Sequence, residues 1–315
     1  MTELKLIDMG LATKVGVGVK RPEDVVVSKD GAVWMSDQNS ACARAMPDGS
    51  LQQCGKTGGA PNGINMDLEG RIIIANFGGP DDGLGPLQRL DTKTGVIENL
   101  VSEINGRKLY GSNYPQVDSL GRIWCSHSTW GPVDAAFNGQ NDGLIYRYEL
   151  DGRVTVLAEG IQMANGIAFD YEEKNLFVCQ TTGCDVLRYP INADGSLGTP
   201  ARYGPKLGLS GAEVQDRRPL TPELRGQLGA TDGCGFDQDG NLWVTLVMAN
   251  KVIAITPGGE VVTMLTDPTG KTMRMPTNVS WGGPQMRDLY IGSVVSNFVL
   301  HVPSPVPGMP LVHQR

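Results

Sequence analysis

Six polar residues, Glu23, Asn62, Asn113, Asn165, Asp232 and Asn278, each open the same short phrase. The phrases begin Glu23-Asp24-Val25, Asn62-Gly63-Ile64, Asn113-Tyr114-Pro115, Asn165-Gly166-Ile167, Asp232-Gly233-Cys234 and Asn278-Val279-Ser280. Every opening residue carries a side-chain oxygen, and the set holds two carboxylates and four amides. Hard divalent cations take several oxygen ligands of this kind. Two carboxylates balance the charge, and amide oxygens fill the shell without repulsion. Water or substrate takes the remaining positions. A cation held this way acts as a Lewis acid on a carbonyl or phosphoryl oxygen. Asp232 is the candidate general base or direct nucleophile, and Glu23 a ligand. Asn-Gly and Asp-Gly also occur in turns for backbone reasons alone, so one such residue says little. Six at equivalent starts are the signal.

These residues need elements that bring them to one point. In four phrases a Gly follows eight residues after the head (Gly31, Gly70, Gly121, Gly240), and a large apolar residue follows after eleven (Trp34, Ile73, Trp124, Trp243). The fourth runs one residue longer, to Phe177, and the sixth reaches Leu289 and Tyr290. Between the heads lie strand–turn–strand pieces, such as Leu144 to Tyr148, Asp151-Gly152 and Val154 to Leu157. Val186 to Tyr189 with Leu197 is another. Turns of the Asp-Gly kind are hairpin signals. A unit that recurs every 39 to 67 residues is one supersecondary module stacked on its neighbours. Six four-stranded units predict an all-β fold, a single six-bladed β-propeller over residues 1–315 with the six heads around a central metal-binding channel. Leu4 to Ile7 is expected to pair with the last blade and close the ring. Loops of more than about 12–15 residues in a compact domain are often binding loops. The loop from Ser126 to Asp142 is therefore expected to cover the metal mouth and set Trp130, with His127 or Phe137, against the substrate.

Composition removes several classes. With 27 Lys and Arg against 34 Asp and Glu the net charge is −7, and no basic stripe stands out for nucleic acid. No apolar run approaches 18 residues, and the first residues lack a signal-peptide core. The expectation is a cytoplasmic protein with a small-molecule substrate and neither nucleic acid nor membrane as partner; oligomeric state is left open. None of the six Cys has a CxxC spacing. Cys42 and Cys54 flank a turn and could face each other across a hairpin. Of three His, His313 is expected to be solvated, His301 structural, and His127 near substrate. No Gly-x-Ser-x-Gly elbow, GxGxxG or Walker pattern occurs.

The segments Arg21 to Asp24, Ser112 to Arg122, Ala164 to Asp170 and Thr231 to Trp243 resemble the regucalcin/gluconolactonase (senescence marker protein) family and the related diisopropylfluorophosphatases, in order and spacing, over about residues 17 to 302. The resemblance implies metal ligands at Glu23, Asn165 and Asp232, with Asn113 on the metal or on substrate; with the repeat position it makes these four the expected metal and catalytic set, with Asn62 and Asn278 nearby, behind the ligands or on substrate. It implies a hydrolase of lactones or phosphoesters with a divalent cation, foremost Ca²⁺; the expected reaction is lactone opening, and Zn²⁺, Mg²⁺ or Mn²⁺ are alternative ions. One departure stands out. The family's Arg-x-Asn-Asp around the third head is here Gly111-Ser112-Asn113-Tyr114. Without that Arg, the pocket is expected to be more apolar, with Tyr114, His127 and Trp130 on the substrate beside Asn62 and Asn278. An aryl-ester or organophosphate hydrolase, a metal-dependent lyase or isomerase, and a non-catalytic binding propeller are the alternatives, since the fold does not fix the reaction.

Overall fold

A computed structural model describes residues 3–78, 84–131, 140–217 and 219–315. Strands dominate it. In chain order they are β1 (Thr13–Val15), β2 (Val25–Val27), β3 (Val33–Ser36), β4 (Cys42–Ala45), β5 (Leu51–Cys54), β6 (Pro61–Met66), β7 (Ile72–Asn76), β8 (Leu87–Leu90) and β9 (Ile97–Val101). A small hairpin follows, β10 (Glu103–Ile104) and β11 (Arg107–Lys108). Then come β12 (Ser112–Val117), β13 (Ile123–His127), β14 (Gly143–Tyr148), β15 (Val154–Ile161), β16 (Ala164–Phe169), β17 (Asn175–Gln180), β18 (Asp185–Pro190) and β19 (Ala201–Arg202). The last are β20 (Thr231–Phe236), β21 (Leu242–Leu246), β22 (Lys251–Ile255), β23 (Val261–Thr266), β24 (Pro276–Gly282), β25 (Asp288–Ser293) and β26 (Val299–Pro303).

Six antiparallel four-stranded sheets result: β2 to β5, β6 to β9, β12 to β15, β16 to β19, β20 to β23, and β24 to β26 completed by β1. They are the blades of a six-bladed β-propeller. The ring closes through the N-terminal segment, but not through Leu4 to Ile7. Thr13, Lys14 and Val15 pair with His301, Leu300 and Val299. Ile7 instead donates its N–H to Met264 O and packs in the apolar layer between the fifth and sixth blades. In the fourth blade the outer strand is Ala201–Arg202, and Leu197 makes only an isolated bridge to Ile191.

Each pair of adjacent blades encloses its own apolar cluster, so burial is distributed around the ring. The repeat Trp has two tasks there. Trp124 and Trp243 pack edge-on to Phe169 and Trp281, with ring centres 5.3 Å apart in both cases. Their indole N–H groups donate to Asp118 and Asp237 at 2.9 Å, in the turn of the same repeat. That satisfies a buried donor that would otherwise cost about 1–3 kcal/mol. Cys42 and Cys54 are cross-strand partners, and all six thiols are free. His301 bridges Thr13 and Asp288. His313 is not solvated: its ring packs against Val27, with Nε2 3.0 Å from the carbonyl oxygen. Among the described residues no helix is long and apolar enough to cross a membrane.

Five inner strands carry a register shift at the same place, between Pro61 and Ile64, Ser112 and Pro115, Ala164 and Ile167, Thr231 and Cys234, and Pro276 and Val279. A bulge adds residues to one strand and re-aims the side chains inside it. Here the head and its successor together face one residue of the neighbouring strand. The head of the sixth blade is therefore Thr277, not Asn278. The turn before β25 is longer in this blade, so a frame counted back eleven from Leu289 lands one residue late. A slip of one residue moves a side chain to another level. The upper tier is Glu23, Asn62, Asn113, Asn165, Asp232 and Thr277. The lower tier is Asp24, Gly63, Tyr114, Gly166, Gly233 and Asn278.

The lower tier is tightly packed. A Cβ on Gly166 would lie 2.5 Å from Gly233 Cα, 2.7 Å from Asp232 O and 2.9 Å from Cys234 N. These are backbone atoms that cannot swing aside. Gly166→Ala is expected to destabilise the fold by about 1–3 kcal/mol and to displace Asp232. Thermal unfolding checks the first effect, and cation binding by calorimetry the second.

Candidate active site

Five of the six upper-tier side chains meet in the mouth of the channel. A cavity of about 230 Å³ is lined by Glu23, Asn62, Asn113, Asn165 and Asp232 together with Arg21. Thr277 takes a structural place instead, its hydroxyl donating to Glu23 O at 2.5 Å. The remaining wall is mostly apolar: Phe77, Met163, Val247, Met248, Met275 and Val294. A larger groove of about 630 Å³, with Phe177, Tyr203 and Phe236 in its wall, touches none of the six heads.

Each amide is held from behind. Asn113 donates from Nδ2 to Ser128 Oγ at 2.9 Å, and Asn165 from Nδ2 to Thr181 Oγ1 at 3.0 Å. Asn62 accepts from Arg21 Nη2 at 2.8 Å and donates to Asn113 O and Oδ1, each at 3.3 Å. Asn62 also bonds Glu23, and Asn165 bonds Asp232.

The two carboxyls are held away from ionisation. Burial, then the nearby Asp232, then Asp24 push Glu23 well above its usual range, against the pull of Arg21. Burial raises Asp232 to about 8, again opposed by Arg21 and by the bond from Asn165. Glu23 Oε2 is buried without a hydrogen-bond partner. An unpartnered buried carboxylate oxygen facing a second carboxyl is costly unless a cation joins them. Among the described residues no three His, Cys, Asp or Glu side chains cluster as a metal site. The donors here are two carboxylates and amide oxygens, which suit Ca²⁺ or Mg²⁺ better than a thiophilic metal. The residues present fit such an ion, with Glu23, Asp232, Asn165 and Asn113 to hold it.

Beneath the heads lies Asp24, to which the residue pattern gave no role. Its carboxylate accepts from Ile64 N at 2.6 Å, Val25 N at 2.7 Å and Asn278 Nδ2 at 2.5 Å. Burial still raises it to about 7, against those bonds. Asn278 also bonds the Tyr114 hydroxyl at 2.9 Å. Asp24, Tyr114 and Asn278 thus meet in the lower tier, where the three glycines leave room.

Several expected substrate contacts fall elsewhere. Tyr114 and Asn278 are in the lower tier and do not line the cavity. His127 is fully buried on β13, and its Nε2 accepts from Tyr110 N and Gly111 N at 3.2 Å each. Burial lowers its pKa to about 3. Two backbone donors fix it as a neutral structural ring. Trp130 packs on that ring, 4.4 Å between centres, and under the Arg107 guanidinium at 4.5 Å. It belongs to the layer between the second and third blades, not to the mouth. Phe137 lies outside the described residues. Of the proposed substrate set only Asn62 lines the cavity.

Arg21 and the methionine rim are additions. Arg21, Met163 and Met275 all stand two residues before a head, and all have left-handed backbone, with φ of 55°, 54° and 46°. Such residues are uncommon outside Gly. A count of two back from Glu23, Asn165 and Thr277 would have found them once the sixth frame was right.

Residues 82–295 match the family described as SMP-30/Gluconolactonase/LRE-like region. The chain belongs to this family. A relative named 6-deoxy-6-sulfogluconolactonase, from Pseudomonas putida, is 29% identical over 208 residues. That alignment takes in 66% of this chain and 62% of the relative's own length. Among solved structures, a gluconolactonase from Xanthomonas campestris superposes with a TM-score of 0.71 at 18% identity, over 97% of this chain and 95% of that one. Regucalcin from Agrobacterium tumefaciens, described as a calcium-binding protein, superposes at 0.67 with 17% identity, over 98% and 96%. At those identities the likeness is one of fold.

Proposed function

We propose that the protein is a divalent-cation-dependent lactonase, with Ca²⁺ as the foremost ion. The observation that carries this reading is the meeting of Glu23 and Asp232 in a buried mouth, with one Glu23 oxygen unpartnered. Membership of the family supports it, as do the lactonase names among its relatives. When bound, the cation would polarise the lactone carbonyl as a Lewis acid and draw both carboxyls into their ionised form.

The chain's own residues do the rest. Asp232, ionised, takes a proton from an incoming water as its oxygen bonds to the carbonyl carbon. The ring C–O bond then breaks, and the departing ring oxygen takes up the proton that Asp232 holds to become the product hydroxyl, which leaves Asp232 ionised again. Glu23 would hold the ion. Asn113 and Asn165, locked by Ser128 and Thr181, keep their oxygens in place without rotamer search. The apolar wall limits bulk water around the reacting ester.

A panel of sugar lactones, aryl esters and phosphoesters, assayed after chelation and after addition of Ca²⁺, Mg²⁺, Mn²⁺ or Zn²⁺, tests this. Lactone opening is expected to fall at least about a hundredfold on chelation and to return with Ca²⁺. Lactonase activity indifferent to chelation would remove the cation from the reading, and turnover of phosphoesters alone would remove the lactone.

A further inference from the structure

We infer that Arg21 selects lactones carrying an anionic substituent. The inference rests on the lactonase reading of this site. The residue two before the first head is Arg21, and the one two before the third head is Gly111. The positions two before a head form the rim of the mouth, and Arg21, Met163, Ala230 and Met275 line the cavity from it.

Three observations fit Arg21 for this role. Its backbone is left-handed at φ 55°, a conformation that costs a non-Gly residue roughly 1–2 kcal/mol and tends to persist where function uses it. Its guanidinium is already oriented, donating from Nη1 to Pro61 O at 3.1 Å and from Nη2 to Asn62 Oδ1 at 2.8 Å. Those bonds use two of five N–H groups, and a guanidinium fork matches carboxylate, sulfonate or phosphate oxygens. Finally, Arg21 is the one cation among the described residues that line the cavity. A dication neutralises Glu23 and Asp232, and Asp24 is sealed below by Ile64, Val25 and Asn278. The charge facing an occupant is then positive on the Arg21 side, opposite an apolar wall of Met163, Val247, Met248 and Met275. A neutral apolar ligand would leave that guanidinium desolvated and unanswered.

The test compares two lactones of equal ring size. One is the γ-lactone of gluconic acid. The other is the monolactone of glucaric acid in which a carboxylate replaces the terminal hydroxymethyl group. With Ca²⁺ present, the wild type is expected to favour the anionic lactone in kcat/KM by at least about tenfold, the size of a charge-assisted hydrogen bond. Arg21→Met should bring that ratio close to one, and Arg21→Lys should keep part of it, because a point charge lacks the fork. A merely structural Arg21 would change both lactones alike and leave the ratio standing. That result, or a wild-type ratio near one, overturns the inference while leaving the lactonase reading intact. If neither lactone is opened, the lactonase reading fails by itself, and calorimetric titration with glucarate and gluconate at fixed free Ca²⁺ decides the inference. A preference for glucarate that Arg21→Met abolishes supports it, and equal binding overturns it.

Discussion

Asp232→Asn is expected to lower kcat for lactone hydrolysis by about a thousandfold or more, while cation binding stays measurable. Loss of a general base costs about 10²–10⁴ in rate. An amide still offers an oxygen to the ion but accepts no proton at neutral pH. The substitution is nearly isosteric, and the bond from Asn165 and the bulge that aims the side chain are both local to it. Glu23→Gln should behave differently. Glu23 holds the unpartnered oxygen, so its change should weaken cation affinity first and let much of kcat return at high Ca²⁺. Steady-state kinetics at several Ca²⁺ concentrations, beside calorimetric titration of each variant, separates the two. Wild-type kcat for Asp232→Asn at saturating Ca²⁺ would exclude Asp232 as base or nucleophile.

Five of the six upper-tier positions were legible before any fold was known, because the heads recur in a fixed phrase. The propeller and its blades follow from the same repeats, since Gly turns and alternating apolar strands leave few other architectures. What the sequence does not disclose is depth along the channel axis. Asn278 and Thr277 are adjacent and both polar, and only strand pairing decides which occupies the upper tier. Tyr114 beside Asn113 reads as a substrate contact, yet the bulge turns it downward to Asn278. His127 reads as an active-site His, yet two backbone N–H groups have already claimed its ring. Arg21 escapes for the opposite reason. A positive charge before Pro22 looks like a surface residue until its left-handed backbone is seen to turn it inward. Long-range side-chain direction, rather than residue type, is the missing information.

The same geometry sets how stability should change with pH. Without a cation, Asp232 titrates near 8 in the folded protein, Asp24 near 7, and Glu23 well above its usual range. Unfolded carboxyls titrate near 4. Between those limits the folded state holds protons that the unfolded chain has released, so stability falls as pH rises. His127 works the other way, because burial depresses its pKa to about 3 and folded His127 stays neutral while the unfolded ring charges. That opposing slope fades above about pH 6.5, as the unfolded ring loses its proton. The deciding window is therefore pH 6.5 to about 8, in which the cation-free Tm is expected to fall steadily. Ca²⁺ should remove the slope, because its ligands must be deprotonated and binding expels their protons. At free Ca²⁺ a thousandfold above Kd the stabilisation is about 4 kcal/mol, a rise in Tm of roughly 5–10 °C. Calorimetry of Ca²⁺ binding at pH 7 in buffers of different ionisation enthalpy should show about one proton or more released per ion. A cation-free Tm that is flat or rising across this window, together with Ca²⁺ binding that expels no proton, would mean that Glu23 and Asp232 do not share an ion.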